Sequence, residues 1–208
     1  MNQTDMEKLF TVAEYVNLER RFSDVHGWLH GVEGYALMLF AARGPGTGEI
    51  VEIGSWMGRS TCWLAYGSKS HSREKVHAVD PFDGGPMLSE TDPVKNEGTT
   101  YFSFVDNLTK HELFDHVIPI VATSTQAIKQ WKKPVRLLFI DAEHTYSAVK
   151  QDFELWTRFL IVNGVVVFDD VTNQYPGVLQ FYEELMANSQ EYQELLKVGK
   201  MKFVQRIS

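Results

Sequence analysis

Short runs of apolar residues alternate along the chain with segments whose apolar positions recur at helical spacing. The runs are nearly continuous and rich in Val and Ile, which is typical of strands buried on both faces of a parallel sheet. The predicted strands are EIVEI (49–53), KVHAVD (75–80), HVIPIVA (116–122), VRLLFID (135–141) and GVVVFDD (164–170). The predicted helices between them are RSTCWLAYGS (59–68), TYFSFVDNLTKH (100–111), STQAIKQW (124–131) and SAVKQDFELWTRFL (147–160). This alternation predicts an α/β fold with a doubly wound, mostly parallel sheet and helices on both faces.

The two ends of the chain depart from this alternation. Before the first strand, apolar residues at helical spacing predict helices over 5–20 and 34–43, and GPGTG (44–48) ends the second helix. After the last parallel strand, a helix near 178–189 precedes QELLKV, a Gly-Lys pair and MKFVQRI, which together predict an antiparallel C-terminal hairpin. We interpret residues 1–208 as a single domain, with an N-terminal helical extension or lid over 1–45 and an α/β core over 49–208.

Composition and charge narrow the range of partners. Of the 208 residues, 44% are hydrophobic and 23% are charged, and the net charge is -7. An acidic chain is a poor match for nucleic acid or an anionic membrane, so we expect neither as a partner. The single cysteine, Cys62, is typical of a reducing compartment. Residues 1–10 lack the pattern of a signal peptide and no apolar run is long enough to span a bilayer, which together predict a cytoplasmic protein.

Polar residues and glycines follow the first two predicted strands. The first strand leads into the turn VEIGSWMGRST, where Glu52, Gly54 and Gly58 precede the next helix and glycine allows the backbone to approach a ligand closely. The turn departs from the dinucleotide pattern G-x-G-x-x-G, because Trp56 stands where the second glycine belongs. The second strand ends in Asp80, where an acid can accept hydrogen bonds from ribose hydroxyls. The pair of features predicts a nucleoside-containing cofactor.

Three carboxylates follow the fourth and fifth predicted strands. Asp141 ends the fourth strand, and Asp169 and Asp170 end the fifth. If these strands are neighbours, the acids converge without a basic partner and repel one another, and a divalent cation would remove that repulsion. Carboxylate oxygens suit Mg²⁺, with Mn²⁺ or Ca²⁺ as substitutes. The alternative is that Asp141 contacts only the cofactor while Asp169 and Asp170 cap the following loop.

His144 lies three residues after Asp141. A histidine with a pKa near neutral can take the proton from an acceptor hydroxyl, so His144 is the candidate general base. The alternative roles for His144 are to cap the helix that begins near Tyr146 or to donate a hydrogen bond to a carboxylate.

Four segments resemble the successive motifs of the class I S-adenosylmethionine-dependent methyltransferases. They are VEIGSWMGRST, AVDPF, LLFIDAEHTYSAVKQDFELW and GVVVFDDV. More narrowly, they resemble the metal-dependent O-methyltransferases, which act on sugar hydroxyls of natural products and on catechols. This resemblance covers roughly residues 49–170 and implies a Rossmann-like fold. The turn E-x-G-x-x-x-G is common in that branch, so Trp56 is not a departure there.

The resemblance implies a role for each matching position. The methionine part of S-adenosylmethionine would lie against Glu52, Gly54, Ser55 and Gly58, with Ser60 and Asp141 also in the cofactor set. Asp80 would hold the ribose, and Phe82, Thr123 and Ser124 would flank the adenine. The metal ligands would be Asp141, Asp169 and Asp170, the same acids that the strand ends single out.

The sequence therefore predicts an S-adenosylmethionine-dependent O-methyltransferase, assisted by Mg²⁺, that acts on a hydroxyl of a small molecule such as a sugar or natural product. His144 and Asp141 are the predicted catalytic residues. The segments 83–101 and 172–177, with the N-terminal helices, should shape the acceptor pocket, the first as a mobile loop. Three alternatives stay open: a metal-free class I methyltransferase, an NAD-dependent oxidoreductase, and a binding module without catalysis. Helical N-terminal extensions often pack between subunits, so a homo-oligomer is also open.

Overall fold

One sheet forms the centre of the fold. In the computed structural model, which describes residues 12–84 and 97–208, seven strands pair in the order β3-β2-β1-β4-β5-β7-β6. The strands are β1 (Glu49–Ile53), β2 (Val76–Asp80), β3 (Val117–Val121), β4 (Val135–Ile140), β5 (Leu160–Phe168), β6 (Tyr192–Val198) and β7 (Met201–Arg206). Strands β1 to β5 pair in parallel, whereas β7 is antiparallel to both β5 and β6. The predicted fold class, a parallel body with an antiparallel C-terminal hairpin, is confirmed.

Helices cover both faces of this sheet. They are α1 (Val12–Phe22), α2 (Gly31–Arg43), α3 (Arg59–Ser70), α4 (Tyr101–Lys110), α5 (Ser124–Ala127), α6 (Tyr146–Trp156) and α7 (Pro176–Asn188). Because side chains alternate along a strand, Ile50 and Val51 in β1 face opposite sides and belong to two separate apolar clusters. One cluster packs against α1 to α4 and includes Trp63, while the other packs against α6 and α7 and includes Trp156. Burial on both faces explains why these strands read as continuous apolar runs.

Several element boundaries differ from the sequence prediction. Helix α2 begins at Gly31 rather than 34, and the first predicted helix is described only from Val12 onwards, because residues 5–11 lie outside the described ranges. Helix α6 ends at Trp156 and is followed by a 3-10 turn, so the predicted helix over 147–160 is too long. Leu160 instead begins β5, where it pairs with Val135 of β4. Tertiary strand pairing outweighs the helical periodicity of that segment.

Shorter segments of the sequence prediction also compare unevenly with the structure. The predicted helix over 124–131 is a single α turn, Ser124–Ala127, continued by a 3-10 turn over Ile128–Gln130. The predicted loop over 83–101 is described only at its ends, since residues 85–96 lie outside the described ranges. In the two ranges that the structure does describe, no helix has the length and apolar character needed to cross a membrane.

Candidate active site

The carboxyl ends of β1, β4 and β5 lie at the same edge of the sheet. Ile53 pairs with Ile140, and Ile140 pairs with Phe168, so the three strands end at one level. The backbone ladder continues one residue further, because Asp141 N donates to Ile53 O at 2.9 Å and Asp169 N donates to Ile140 O at 3.1 Å. The prediction that the fourth and fifth strands end side by side is confirmed.

Gly54 is the point where the β1 turn meets this edge. Its φ of +89° lies in the left-handed region that favours glycine. A Cβ atom at Gly54 would lie 2.1 Å from the carbonyl oxygen of Asp141. Glycine is therefore required here by the close approach of two strand ends, which is a reason that sequence reasoning about a ligand did not include.

Asp141, Asp169 and Asp170, which we call the acid cluster, meet His144 at the ends of β4 and β5. One ligand atom from each of Asp141, His144 and Asp170 can be chosen so that all three lie within 4.8 Å of one another. His144 Nε2 is 2.9 Å from Asp170 Oδ2 and 3.8 Å from Asp141 Oδ1. Asp169 is buried, and its Oδ1 atom has no hydrogen-bond partner among the described residues.

A basic residue that sequence reasoning missed lies in the acid cluster. Lys200 is in the turn between β6 and β7, and its Nζ atom is 3.1 Å from Asp169 Oδ2 and 2.8 Å from Asp170 Oδ1. The expectation that the acids converge without a basic partner is therefore wrong. Phe168 pairs with Lys202 in the antiparallel β5–β7 ladder, which places the hairpin turn at the carboxyl end of β5. The predicted Gly-Lys turn was the available signal, but it did not show which strand the hairpin joins.

The clustered charges shift the pKa values of the cluster members in different directions. Burial raises the pKa of Asp169 well above its ordinary value, and the charge of Asp141 adds to the effect. Burial acts the same way on Asp170, but His144 and Lys200 outweigh it and lower its pKa. Burial disfavours the charged imidazole of His144, yet Asp141 and Asp170 outweigh it and raise its pKa to about 9. His144 is thus protonated at neutral pH in this arrangement.

The surroundings of His144 exclude one of its alternative roles. Helix α6 is capped by Thr145, whose side-chain oxygen accepts a hydrogen bond from Ala148 N at 3.3 Å, so the helix-capping role for His144 is wrong. His144 Nε2 lies 2.9 Å from Asp170 Oδ2 but makes no hydrogen bond with a described residue, so a hydrogen bond from His144 to a carboxylate stays a prediction. The imidazole also packs on the ring of Tyr175, with ring centroids 4.3 Å apart. A base role for His144 stays a prediction.

Asp80 connects the turns that follow β1 and β2. Its Oδ2 atom accepts from Ser55 N and from Trp56 N, both at 2.8 Å, and its Oδ1 atom accepts from Phe82 N at 2.6 Å. Trp56 and Phe82 have φ values of 44° and 58°, a left-handed conformation that non-glycine residues rarely adopt. Burial raises the pKa of Asp80 despite these three hydrogen bonds. The carboxylate therefore holds two strained turns at the predicted cofactor edge.

Glu52 is fully buried beneath the β1 turn. Ser55 Oγ donates to Glu52 Oε2 at 2.8 Å, and Thr61 also donates to Oε2. Within the part of the chain that the structure describes, Glu52 Oε1 has no hydrogen-bond partner. Burial raises the pKa of Glu52 to about 7, although hydrogen bonds from Ser60, Thr61 and Ser55 oppose the shift. One carboxylate oxygen of Glu52 is thus left without a donor among the described residues.

A pair of stacked tryptophans borders the same turn. The rings of Trp28 and Trp56 are 4.6 Å apart at an interplanar angle of 23°, and His26 lies 5.1 Å from the Trp56 ring. Trp28 is 59% exposed, so one side of this pair faces solvent. Arg59 holds the segment that carries Trp28, because it donates to Val25 O at 2.7 Å and to Leu29 O at 2.9 Å. We call Trp28 and Trp56 the tryptophan pair.

A family model described as a methyltransferase domain matches residues 51–171, which is more than half of the chain. This chain belongs to that methyltransferase family. The matched region contains the β1 turn, Asp80, the acid cluster and His144. Family membership confirms the resemblance to class I methyltransferases and disfavours the NAD-dependent oxidoreductase.

The methyltransferase fold extends beyond the matched region. The O-methyltransferase TomG from Streptomyces achromogenes, involved in tomaymycin synthesis and solved with S-adenosylmethionine, is 17% identical with a TM-score of 0.63, over 94% of this chain and 89% of TomG. An O-methyltransferase from Bacillus cereus, solved with S-adenosylhomocysteine, is 21% identical with a TM-score of 0.60, over 93% and 90% of the two chains. The uncharacterized protein R132 of Acanthamoeba polyphaga mimivirus is 24% identical over 146 residues, which is 67% of this chain and 60% of that protein. The structural likenesses confirm the Rossmann-like methyltransferase fold.

The residues predicted to flank the adenine lie in different surroundings in this methyltransferase domain. Phe82 is buried and packs against Tyr101 and Phe104, with ring centroids 5.2 and 4.9 Å away. Thr123 caps α5, and Ser124 donates a hydrogen bond to the carboxylate of Asp152 in α6. Their adenine-binding role stays a prediction, as do the cofactor roles of Gly58 and Ser60. Gly58 has a φ of +86° and precedes α3, so a glycine suits its backbone conformation.

Proposed function

We propose that this methyltransferase domain transfers the methyl group of S-adenosylmethionine to a hydroxyl of a small molecule that contains a ring, such as a sugar or a natural product. The observation that carries the proposal is the common level at which β1, β4 and β5 end. That level places the Glu52 turn, Asp141 and Asp169 at one edge of the sheet. The predicted cofactor residues and the cluster of acid and imidazole groups therefore lie at the same edge of the sheet, which is the edge where open α/β sheets bind ligands.

The cofactor seat is supported by the unpartnered oxygen of Glu52. Its Oε1 atom is buried and accepts no hydrogen bond from the residues described in the structure. The methionine part of S-adenosylmethionine carries an ammonium group, which could donate to that oxygen. Asp80 keeps lone pairs on Oδ1 beyond its contact with Phe82 N, and these could accept from a ribose hydroxyl.

The acid cluster has the donor set of a divalent cation site. Asp141, His144 and Asp170 offer close ligand atoms, and the buried Asp169 Oδ1 is unpartnered among the residues that the structure covers. Mg²⁺ prefers such carboxylate oxygens. Asp141, Asp169 and Asp170 would hold the ion, which would polarise and orient the acceptor hydroxyl.

The reaction is a displacement at the methyl carbon. The acceptor oxygen forms a bond to the methyl carbon while the carbon–sulfur bond breaks, giving a methyl ether and S-adenosylhomocysteine. The hydroxyl proton goes to His144 Nε2, which lies between Asp141 and Asp170. Only the neutral imidazole can accept that proton, whereas both carboxylates favour the charged form. His144 thus serves as a base when another positive charge nearby offsets the effect of Asp141 and Asp170 on its pKa.

The tryptophan pair supports a ring-shaped acceptor. Trp56 belongs to the β1 turn itself, and the exposed Trp28 ring is stacked on it. A flat aromatic surface binds aromatic rings by stacking. TomG, an O-methyltransferase of similar fold, is involved in natural-product synthesis, which agrees with this class of acceptor.

A metal-free methyltransferase is the second candidate, and Lys200 is the observation that favours it. The Lys200 ammonium already contacts Asp169 and Asp170. Such a charge could meet the electrostatic need of the acid cluster without an added ion. The second candidate keeps the same cofactor, acceptor and sheet edge.

A methyl-transfer assay over a panel of ring-containing hydroxyl compounds, with and without EDTA, tests both candidates. We expect S-adenosylhomocysteine to bind and NAD not to bind in isothermal titration, and we expect product from at least one acceptor. Loss of activity in EDTA and its return with Mg²⁺ would support the metal-assisted reaction, whereas full activity in EDTA would support the metal-free one. Absence of S-adenosylhomocysteine binding would contradict the proposal. The cytoplasmic location and the oligomeric state stay predictions.

A further inference from the structure

The turn that carries Lys200 is held in place by groups other than its ammonium. Lys200 N donates to Glu33 Oε1 at 2.9 Å, and Lys200 O accepts from Val171 N at 3.0 Å. Glu33 is a fully buried residue of α2, and its other carboxylate oxygen accepts from His30 N at 2.9 Å. The backbone position of Lys200 is therefore determined by a buried acid from the opposite end of the chain.

Gly199 shows how closely this turn fits. Its φ is +56°, and a Cβ atom there would lie 2.2 Å from Glu33 Oε1. Only glycine allows the turn to reach Glu33 in this conformation. The hairpin turn therefore places residue 200 beside the carboxyl end of β5 and beside the acid cluster.

The Lys200 ammonium contacts two of the three carboxylates that would hold a divalent cation. It lies 3.1 Å from Asp169 Oδ2 and 2.8 Å from Asp170 Oδ1, and the side chain is 20% exposed. A divalent cation on the other oxygens of these two carboxylates would lie close to the ammonium, and their mutual repulsion is weakly screened at a site that is mostly shielded from water. The ammonium therefore opposes the binding of a divalent cation, and a bound cation favours displacement of the ammonium.

We infer that Lys200 is an internal cation that competes with a divalent metal ion for Asp169 and Asp170, and so sets the metal affinity of the site. This inference rests on one part of the proposed function, which is the assignment of the acid cluster as the cation site. Lys200 keeps the acids compensated when no metal is bound, and it lowers the affinity for metal. A site without this lysine binds divalent cations more tightly.

The test is Mn²⁺ binding to the full chain, measured by electron paramagnetic resonance of free Mn²⁺ without cofactor or acceptor. We expect Lys200→Met to bind Mn²⁺ at least about tenfold more tightly than the wild type, which corresponds to about 1.4 kcal/mol. Lys197→Met is the matched control, because it removes the same charge from an exposed position of the same hairpin and should bind like the wild type. Lys200→Arg keeps the charge and should also keep the affinity low. Equal or weaker Mn²⁺ binding by Lys200→Met would overturn the inference.

Lysine acetylation of the wild type, followed by mass spectrometry, covers the case in which Lys200→Met does not fold. Saturating Mg²⁺ should increase the labelling of Lys200, because the displaced ammonium becomes accessible, while the labelling of Lys197 should stay unchanged. Labelling of Lys200 that does not respond to Mg²⁺ would refute competition. Neither measurement depends on methyl transfer. If both contradict competition by Lys200 while S-adenosylhomocysteine binding and catalysis persist, only this inference fails. If both support competition while S-adenosylhomocysteine does not bind and no methyl transfer occurs, the proposed function fails.

Discussion

Replacing Asp80 by Asn tests whether one carboxylate holds the two cofactor turns. Asp80 accepts from three backbone N–H groups, two on Oδ2 and one on Oδ1. An asparagine keeps one acceptor oxygen, and its NH₂ group would face an N–H donor in place of the other oxygen. The amide orientation that loses fewer hydrogen bonds turns the NH₂ group toward Phe82 N, which is left without its acceptor. In this orientation Ser55 N and Trp56 N can share the oxygen that remains.

The magnitude follows from that lost contact. A hydrogen bond to a charged group contributes about 1.5–3 kcal/mol. We expect Asp80→Asn to lower the free energy of unfolding by this amount, because Phe82 then loses the hydrogen bond that supports its left-handed conformation. The turns line the predicted cofactor seat, so the affinity for S-adenosylhomocysteine should fall about 10- to 100-fold.

Two measurements check this prediction for Asp80. Urea denaturation gives the free energy of unfolding, and isothermal titration gives the affinity for S-adenosylhomocysteine. The matched control is Asp106→Asn, the same chemical change at an exposed position of α4, which should leave both quantities near the wild-type values. An Asp80→Asn variant with wild-type stability and wild-type affinity would show that the carboxylate does not hold the turns.

Three further predictions concern the base, the acceptor surface and pH. His144→Ala should lower the methyl-transfer rate by about 10²- to 10⁴-fold with S-adenosylhomocysteine affinity kept, and an unchanged rate would exclude His144 as the base. Trp28→Ala should raise the KM for a ring-shaped acceptor more than it lowers kcat, because Trp28 is 59% exposed and only its stacking surface is removed; an unchanged KM would argue against stacking. Burial raises the pKa of Asp152 from 3.8 to about 6 against a hydrogen bond from Ser124. The folded protein therefore binds this proton more tightly than the unfolded chain, so stability should fall as the pH rises from about 4 to 6, by up to about 3 kcal/mol relative to Asp152→Asn in urea denaturation. Parallel pH profiles of the two proteins would contradict this.

The strand ends show how far local pattern can predict this site. Apolar runs bounded by acids predicted β1, β2, β4 and β5, and the tendency of parallel strands to end at one edge predicted that Asp141 and Asp169 would be neighbours. The register of Ile53, Ile140 and Phe168 confirms that placement. Each of these inferences depends on hydrophobic burial and strand direction, which are properties of short segments.

Gly54 and Leu160 show where local pattern was insufficient. The sequence pattern relates Gly54 to a ligand, but a Cβ atom there would lie 2.1 Å from the carbonyl oxygen of Asp141, which follows β4. Leu160 continued a helical periodicity, but it pairs with Val135 in the sheet. In both cases a partner distant in the chain decides the conformation, and sequence spacing contains no record of that partner.

The location of Lys200 beside the acid cluster was determined by tertiary structure alone. The sequence predicted the hairpin and its Gly-Lys turn, yet the site of that turn depends on β7 pairing with β5 and on Glu33 of α2 accepting from Lys200 N. The stacking of Trp28 on Trp56 likewise depends on Arg59 holding the segment before α2. Strand identity, burial and the acids at strand ends are encoded locally, because each follows from the polarity of successive side chains. The position of the Lys200 ammonium beside those acids is not encoded locally, since it results from contacts between elements at opposite ends of the chain.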